Sequence, residues 1–356
     1  MKIVDSHTHV HELYDKDGRS CIDWMREYQK KHFPIVNVCA LSSGAYVTGK
    51  CNAAENIRAA IIKANCEGVF AYGGLSYPIY PLRPAEMPEG FAPLTQYEEL
   101  MEIGFDGLKS FENKPSSINA LDLPVSDPMY DDFYAAVERD GTHMVWHVAD
   151  PERNWTPEFL ASGGNLAWYC GEGRCIPWSE IYDRVYNVLE RYPRLSVTFA
   201  HFFFLSDKPE KLEELFKKYP NLCVDLTPGT EMYDIFVSDP AFYRDFLIRH
   251  DDRILFGTDC TFDSYVEMYN DSLAPAVRDF VLTDEVVDSI WGLKVRGFKL
   301  PEASAKKILS ENFLRYHKEP KPVNKEALWR YIEKYLPTIE SEKEREETLA
   351  FAKKYL

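Results

Sequence analysis

An α/β fold closed into a (β/α)8 TIM barrel, with a helical extension at its C-terminus, is what this 356-residue chain predicts. Strand-like and helix-like segments alternate at roughly 30 to 50 residues, the pattern of repeated β-α units around a parallel sheet. Eight strand candidates appear, at 2-7, 33-40, 68-74, 106-111, 142-148, 195-201, 221-227 and 253-258. Four of them deliver a histidine or aspartate at the carboxyl end, where the βα loops of a barrel converge. Length alone allows two domains, but an α/β barrel of this size forms one.

The first strand, Ile3 to His9, runs into Asp5-x-His7-x-His9. Side chains on a strand alternate faces, so all three are expected on one side, where two imidazoles two residues apart can grip one metal ion. Asn52-x-x-Glu55 before Ile57 and Thr95-x-x-Glu98 before Leu100 read as capping boxes that open helices. Ser206-Asp207 opens a third helix, in which Leu212, Leu215, Phe216 and Tyr219 recur at helical spacing and pack on the sheet. The fifth strand ends at His147, the sixth at His201, and the eighth leads into Asp259. Strands one and eight are neighbours in a closed barrel, so His7, His9, His147, His201 and Asp259 become a compact cluster.

Two long segments shape the rim: the proline-rich loop Tyr77 to Pro84, and the insertion Asp150 to Pro177. Arg153, Trp155, Trp168, Tyr169 and Arg174 in the insertion suit an aromatic or carboxylated compound, and equally suit packing on one another or a subunit contact. Glu112 and Asp263, just after strands four and eight, are candidates to orient a ligand. His11 lies past the strand, and His32, His143, His250 and His317 read as structural or surface residues. After Tyr316 the charged, proline-broken run Lys318 to Pro322 leads to two helical stretches, 326-335 and 341-355. The barrel is therefore assigned to 1-317 and a helical tail, packed on it or on a partner subunit, to 318-356.

A hydrophobic content of 45% with 28% charged residues describes a globular protein. The net charge of -16 opposes nucleic acid and anionic membranes as partners, leaving a small-molecule substrate. With no apolar run near about 18 residues and no leader-like start, a cytoplasmic location is expected. Eight cysteines without a Cys-x-x-Cys suggest neither a disulfide framework nor a zinc ribbon. Cys170 and Cys175 are close enough to pair, although free thiols are the expectation.

Asp5-Ser6-His7-Thr8-His9, Gly104-Phe105-Asp106-Gly107-Leu108-Lys109, Val145-Trp146-His147, Phe199-Ala200-His201, Leu255-Phe256-Gly257-Thr258-Asp259 and the closing Ile308 to Arg315 together resemble the amidohydrolase superfamily. The likeness is to its amidohydrolase-related (amidohydrolase 2) branch, which includes the aminocarboxymuconate semialdehyde decarboxylase group, and spans about residues 1 to 317. It implies one divalent metal ion, zinc by expectation and manganese as the alternative, held by His7, His9, His147 and Asp259. His201 would then transfer protons or add a ligand, and Asp259 would take a proton during catalysis. In binuclear members a carboxylated lysine bridges two metals. The Gly-x-x-Gly-x-Lys context of Lys109 resembles the branch in which it does not, so a mononuclear site is expected. The resemblance implies a metal-dependent hydrolase acting on a C-N or C-O bond of a small cyclic or carboxylated substrate. A non-oxidative decarboxylase is the alternative, and a non-catalytic metal-binding barrel the second alternative. A homodimer is the family-level expectation.

Overall fold

The computed structural model describes residues 2–42, 53–78, 81, 83–229, 231–263, 270–290 and 292–356. Apolar runs too short for helices become strands: β1 (Val4–Val10), β2 (Ile35–Cys39), β3 (Val69–Gly73), β4 (Gly107–Asn113), β5 (His143–Val148), β6 (Ser196–Phe199), β7 (Leu222–Asp225), β8 (Ile254–Leu255) and β9 (Cys260–Phe262). They pair in parallel in the order β8-β7-β6-β5-β4-β3-β2-β1-β9. β8 and β9 are one passage of chain, so residues 254–262 close the sheet. Between the two halves, Ser6 N donates to Phe256 O at 3.1 Å and Asp259 N to His7 O at 2.9 Å. All eight expected strands are present, and they form the (β/α)8 barrel.

Alternation along the strands separates two cores. Val4, Cys39, Phe70, Tyr72, Val145, Ala200, Cys223, Leu255 and Phe313 cluster inside the barrel. Their neighbours in sequence, such as Val38, Ala71, Met144, Trp146, Val197 and Val224, join the larger core under the helices. β1 departs from simple alternation. Its pairing with β2 shifts register between Asp5 and Thr8, and the extra residue of such an irregularity reverses side-chain parity. Asp5 therefore does not share a face with His7 and His9, contrary to the strict two-residue rule. Its carboxylate instead accepts from Tyr28 Oη of the helix Cys21–Lys31 and from Thr258 Oγ1, each at 2.7 Å. Burial pushes its carboxyl up to about 7.

Helix starts differ from the capping boxes read in the sequence. The helix Pro93–Ile103 begins two residues before Thr95, and Pro209–Lys218 begins beyond Ser206-Asp207. A proline opens each one, because its fixed φ is already helical and its missing N–H is not needed in the first turn. Asn52, expected to open the helix Ala54–Asn65, lies outside the described residues, as do residues 79, 80 and 82 of the proline-rich loop. The insertion after β5 is not without structure; it carries short helical turns at Glu152–Trp155, Pro157–Ala161 and Leu166–Trp168. No helix among the described residues is long and apolar enough to cross a membrane.

Residues 307–322 cover the end of the barrel opposite the His-x-His cluster, and the helices after them pack along its side. A π-turn at Lys307–Glu311 precedes Asn312, whose buried amide donates to Asp251 O at 2.6 Å and Ile254 O at 2.7 Å. Beyond it, Lys321 N donates to Asp106 Oδ1 at 2.9 Å, and Pro322 O passes so close that a Cβ on Gly104 would lie 2.2 Å from it. The helix Lys325–Tyr335 docks on its barrel neighbours through Tyr331 Oη to Asn56 Nδ2 at 2.8 Å and Tyr335 Oη to Glu99 at 2.8 Å. The last helix, Glu342–Tyr355, reaches the barrel through Glu344 and Arg58 at 3.3 Å. Replacing Asn312 by alanine takes the amide donor from two carbonyls at once, one buried and one part-buried. The expected loss is on the order of 2 to 4 kcal/mol of unfolding free energy, read by urea denaturation.

Candidate metal centre and its surroundings

His7 and His9 stand at the carboxyl end of β1, and Asp259 at the break between β8 and β9. One ligand atom from each lies within 4.8 Å of the others. His9 Nε2 is 3.0 Å from Asp259 Oδ1, and His7 Nε2 is 4.0 Å from the same oxygen. Atoms that each bond one ion at about 2.1 Å in a tetrahedron sit about 3.4 Å apart, so the observed separations straddle what a single ion needs. Both imidazoles are anchored through the far nitrogen. His7 Nδ1 meets Asp225 Oδ2 at 2.9 Å and His9 Nδ1 meets Cys39 O at 2.7 Å, so a proton on Nδ1 leaves each Nε2 lone pair facing inward. Burial pulls both imidazoles below their ordinary value and keeps them neutral. Burial alone would raise the Asp259 carboxyl, but its imidazole neighbours, His9 first among them, hold it well below the usual range. Two neutral imidazoles and a carboxylate suit zinc or manganese.

Asp225, at the end of β7, is the residue that sequence reasoning passed over. Besides holding His7, its Oδ1 accepts from His201 N at 2.8 Å and Thr227 N at 3.1 Å. His201 opens four consecutive residues with left-handed backbone, His201, Phe202, Phe203 and Phe204, at φ of 55°, 56°, 61° and 48°. Side chains disfavour this conformation by about 1 to 2 kcal/mol per residue. Phe203 stacked on Phe199 at 3.8 Å and Tyr182 Oη donating to Phe203 O at 2.7 Å hold the turn in place. Gly257 has its own requirement: a Cβ there would lie 2.9 Å from His7 Cβ and 2.6 Å from Thr227 Oγ1.

The other expected residues are gathered unevenly. His201 is 6.0 Å from His7 and 4.8 Å from His147, ring centre to ring centre, and so bridges the two. His147 stands apart from the ligand trio: its Nε2 is 3.0 Å from Ala149 O, 3.3 Å from Lys114 Nζ and 3.6 Å from Asp150 Oδ1. Lys109 lies against the centre, with Nζ 2.8 Å from His7 Nε2, and burial pulls its amine down. Glu112 turns to Ser110 and Tyr77, at 2.6 and 3.0 Å, and does not orient His7. Trp155 and Arg174 brace the insertion through Ile176 O and Tyr169 O, while Trp168 covers Lys114 at 4.8 Å. Glu231 was also missed. Both of its buried oxygens lack a hydrogen-bond partner from another described residue, and burial raises its carboxyl to about 7. A Cβ on Gly229 would meet Glu231 Oε2 and Phe204 at 3.3 Å and His201 Cβ at 3.4 Å, which places this carboxylate in the His201 neighbourhood.

Two outcomes follow. Asp225→Asn presents an N–H to His7 Nδ1 and forces the proton onto Nε2, so metal affinity falls about 10- to 100-fold in a chelator competition. Lys109→Met removes a group that competes for His7 Nε2 and retains one metal equivalent by elemental analysis. Two equivalents in the wild type and one in the variant would make Lys109 a carboxylated bridge.

Residues 42–313, more than half of the chain, match the family model Amidohydro_2, described as amidohydrolase. No curated protein matches the sequence. Similar solved structures include an uncharacterized TIM-barrel protein from Bordetella bronchiseptica (TM-score 0.54, 14% identity, 89% of this chain and 98% of that one). A 2,6-dihydroxybenzoate decarboxylase from Rhizobium is another (0.54, 15%, 89% and 98%). A third is a dihydroxybenzoic acid decarboxylase from Polaromonas, solved with bound manganese and the inhibitor 2-nitroresorcinol (0.51, 15%, 89% and 97%). At these identities the likeness establishes the fold. The family match begins just after β2 and runs through β3 to the closing Asn312 segment, and the chain belongs to the amidohydrolase family of metal-dependent enzymes that this model describes.

Proposed function

We propose that the protein is a metal-dependent hydrolase that cleaves a C-N or C-O bond in a small cyclic or carboxylated substrate. The observation that carries this reading is the exposure of Asp259. Its side chain is 26% exposed, whereas those of His7 and His9 are 0% and 7% exposed, so the carboxylate is the ligand-set member that meets incoming substrate and water. A divalent ion held by His7, His9 and Asp259 would polarise a carbonyl and bring the pKa of water to about 7. Asp259, held as the anion by its contact with His9, accepts the proton lost as water attacks. Burial pulls the His201 imidazole down to about 4, so it is neutral at physiological pH. With Nδ1 on Thr227 O at 3.3 Å, His201 keeps Nε2 for the substrate oxygen or leaving group. Phe204 beside His201 and Phe111 beside His147, at 5.1 and 4.9 Å, keep this side of the site apolar and strengthen such contacts.

Non-oxidative decarboxylation is the second reading, favoured by the decarboxylases among the similar structures. There the same residues would orient a carboxylate and deliver a proton to the carbon that loses carbon dioxide. The readings separate in one assay of the zinc- or manganese-loaded protein. Carbon dioxide release from hydroxybenzoates, 2,6-dihydroxybenzoate among them, supports the second; acid release from lactones or amides supports the first. In either case His201→Asn lowers kcat at least about 100-fold with metal content unchanged. Parallel loss of metal would make His201 a ligand instead.

A further inference from the structure

Cys170 and Cys175 lie in the insertion that folds over the rim. A turn brings them together, with Arg174 N on Gly171 O at 3.1 Å, Cys175 N on Cys170 O at 3.3 Å, and Glu172 and Gly173 at φ of 55° and 77°. The two sulfurs are 2.6 Å apart, inside the contact distance of two thiols. Their surroundings differ. Cys170 is buried, with its N–H on Asn154 O at 2.8 Å, whereas Cys175 is half-buried and approached by the Asn119 amide at 3.9 Å. The contact with Cys170 and the Asn119 amide hold the Cys175 thiol below its ordinary value, while contact and burial push Cys170 up. The other described cysteines, Cys21, Cys39, Cys66, Cys223 and Cys260, are buried, and burial raises each of them. Among the described cysteines, reactivity is thereby confined to one thiol with a second beside it, the arrangement that thiol–disulfide exchange requires.

This turn has a consequence for the site. Two residues before Cys170, Trp168 covers Lys114 at 4.8 Å, and Lys114 Nζ contacts Asp150 at 2.5 Å and His147 at 3.3 Å. We propose that Cys170 and Cys175 are a modification site for small disulfides of the glutathione class, which convert the pair into an intraloop disulfide and fix the turn that seats Trp168 over Lys114. The Cys175 thiolate attacks one sulfur of glutathione disulfide and expels one glutathione thiolate, which takes up a proton. Cys170, losing its proton, then attacks Cys175 Sγ and expels the second glutathione. Two electrons and two protons pass from the cysteine pair to the oxidant, and no metal or substrate takes part.

The full-length protein is incubated with excess glutathione disulfide, desalted, denatured in acid and analysed. Cys170 and Cys175, two of the eight cysteines, are expected to be lost as free thiols. Trypsin, cutting after Arg153, Arg174 and Arg184, is expected to release 154–174 joined to 175–184 through a reducible link. Cys170→Ser is expected to stop at one glutathione on Cys175, and Cys175→Ser to leave Cys170 unmodified. Eight remaining thiols, or glutathione persisting on both wild-type cysteines, would overturn the site. Amide exchange of 166–176 is expected to slow at least tenfold on oxidation, and an unchanged rate would overturn the fixing of the turn.

Discussion

Asp225 is the group around which the site is built. One buried carboxylate holds the His7 ring through Oδ2 and the backbones of His201 and Thr227 through Oδ1. Burial alone would push such a carboxyl toward its neutral form, and does raise it. Three donors converging on it are what make an anion tolerable there. Without it the tautomer of His7 is free to reverse, and the left-handed turn that presents His201 loses its first hydrogen bond. The orientation of the His7 ring on β1 and the backbone that presents His201 after β6 are thus both set by one residue of β7.

The barrel divides this labour along its axis. At one end, Phe70, Tyr72 and Phe313 fill the interior and Asn312 caps the start of β8, while the C-terminal helices pack along the helical layer. At the other, non-glycine residues adopt left-handed backbone at Ala149 just after β5, at His201 to Phe204 beyond β6, and at Asp259 between β8 and β9. Strain of this kind persists only where packing over-determines it, here through the Phe199 and Phe203 stack and the Asp225 hydrogen bonds. Placing it at the carboxyl ends of the strands puts the cost where loops position chemistry and the stabilising contacts elsewhere.

What the sequence reveals about this arrangement follows from the range of the interactions involved. The strands and the grouping of His7, His9 and Asp259 are legible because apolar runs and their terminal polar residues are local patterns. Asp5 misleads because a register shift in β1 depends on pairing with β2, which no spacing within β1 encodes. Asp225 ends an apolar strand just as the histidines do, and that signal, a lone carboxylate at the end of Leu222-Cys223-Val224, was available. Its partners, 218 and 24 residues away, were not. The separation of His147 from the ligand trio comes from Lys114 and Asp150, a tertiary contact of the insertion. Helix starts moved to Pro93 and Pro209 because proline at the first helical position competes with a nearby capping box.

The central claim is that His7, His9 and Asp259 hold one metal ion while Asp225 orients His7. The measurement that addresses it most directly is an anomalous-difference map from crystals of the metal-loaded protein, collected at the zinc or manganese edge. One peak about 2.0 to 2.3 Å from His7 Nε2, His9 Nε2 and an Asp259 oxygen, with Asp225 still on His7 Nδ1, is the predicted result. A peak centred between Lys114, Asp150 and His147, or none near β1, would contradict it.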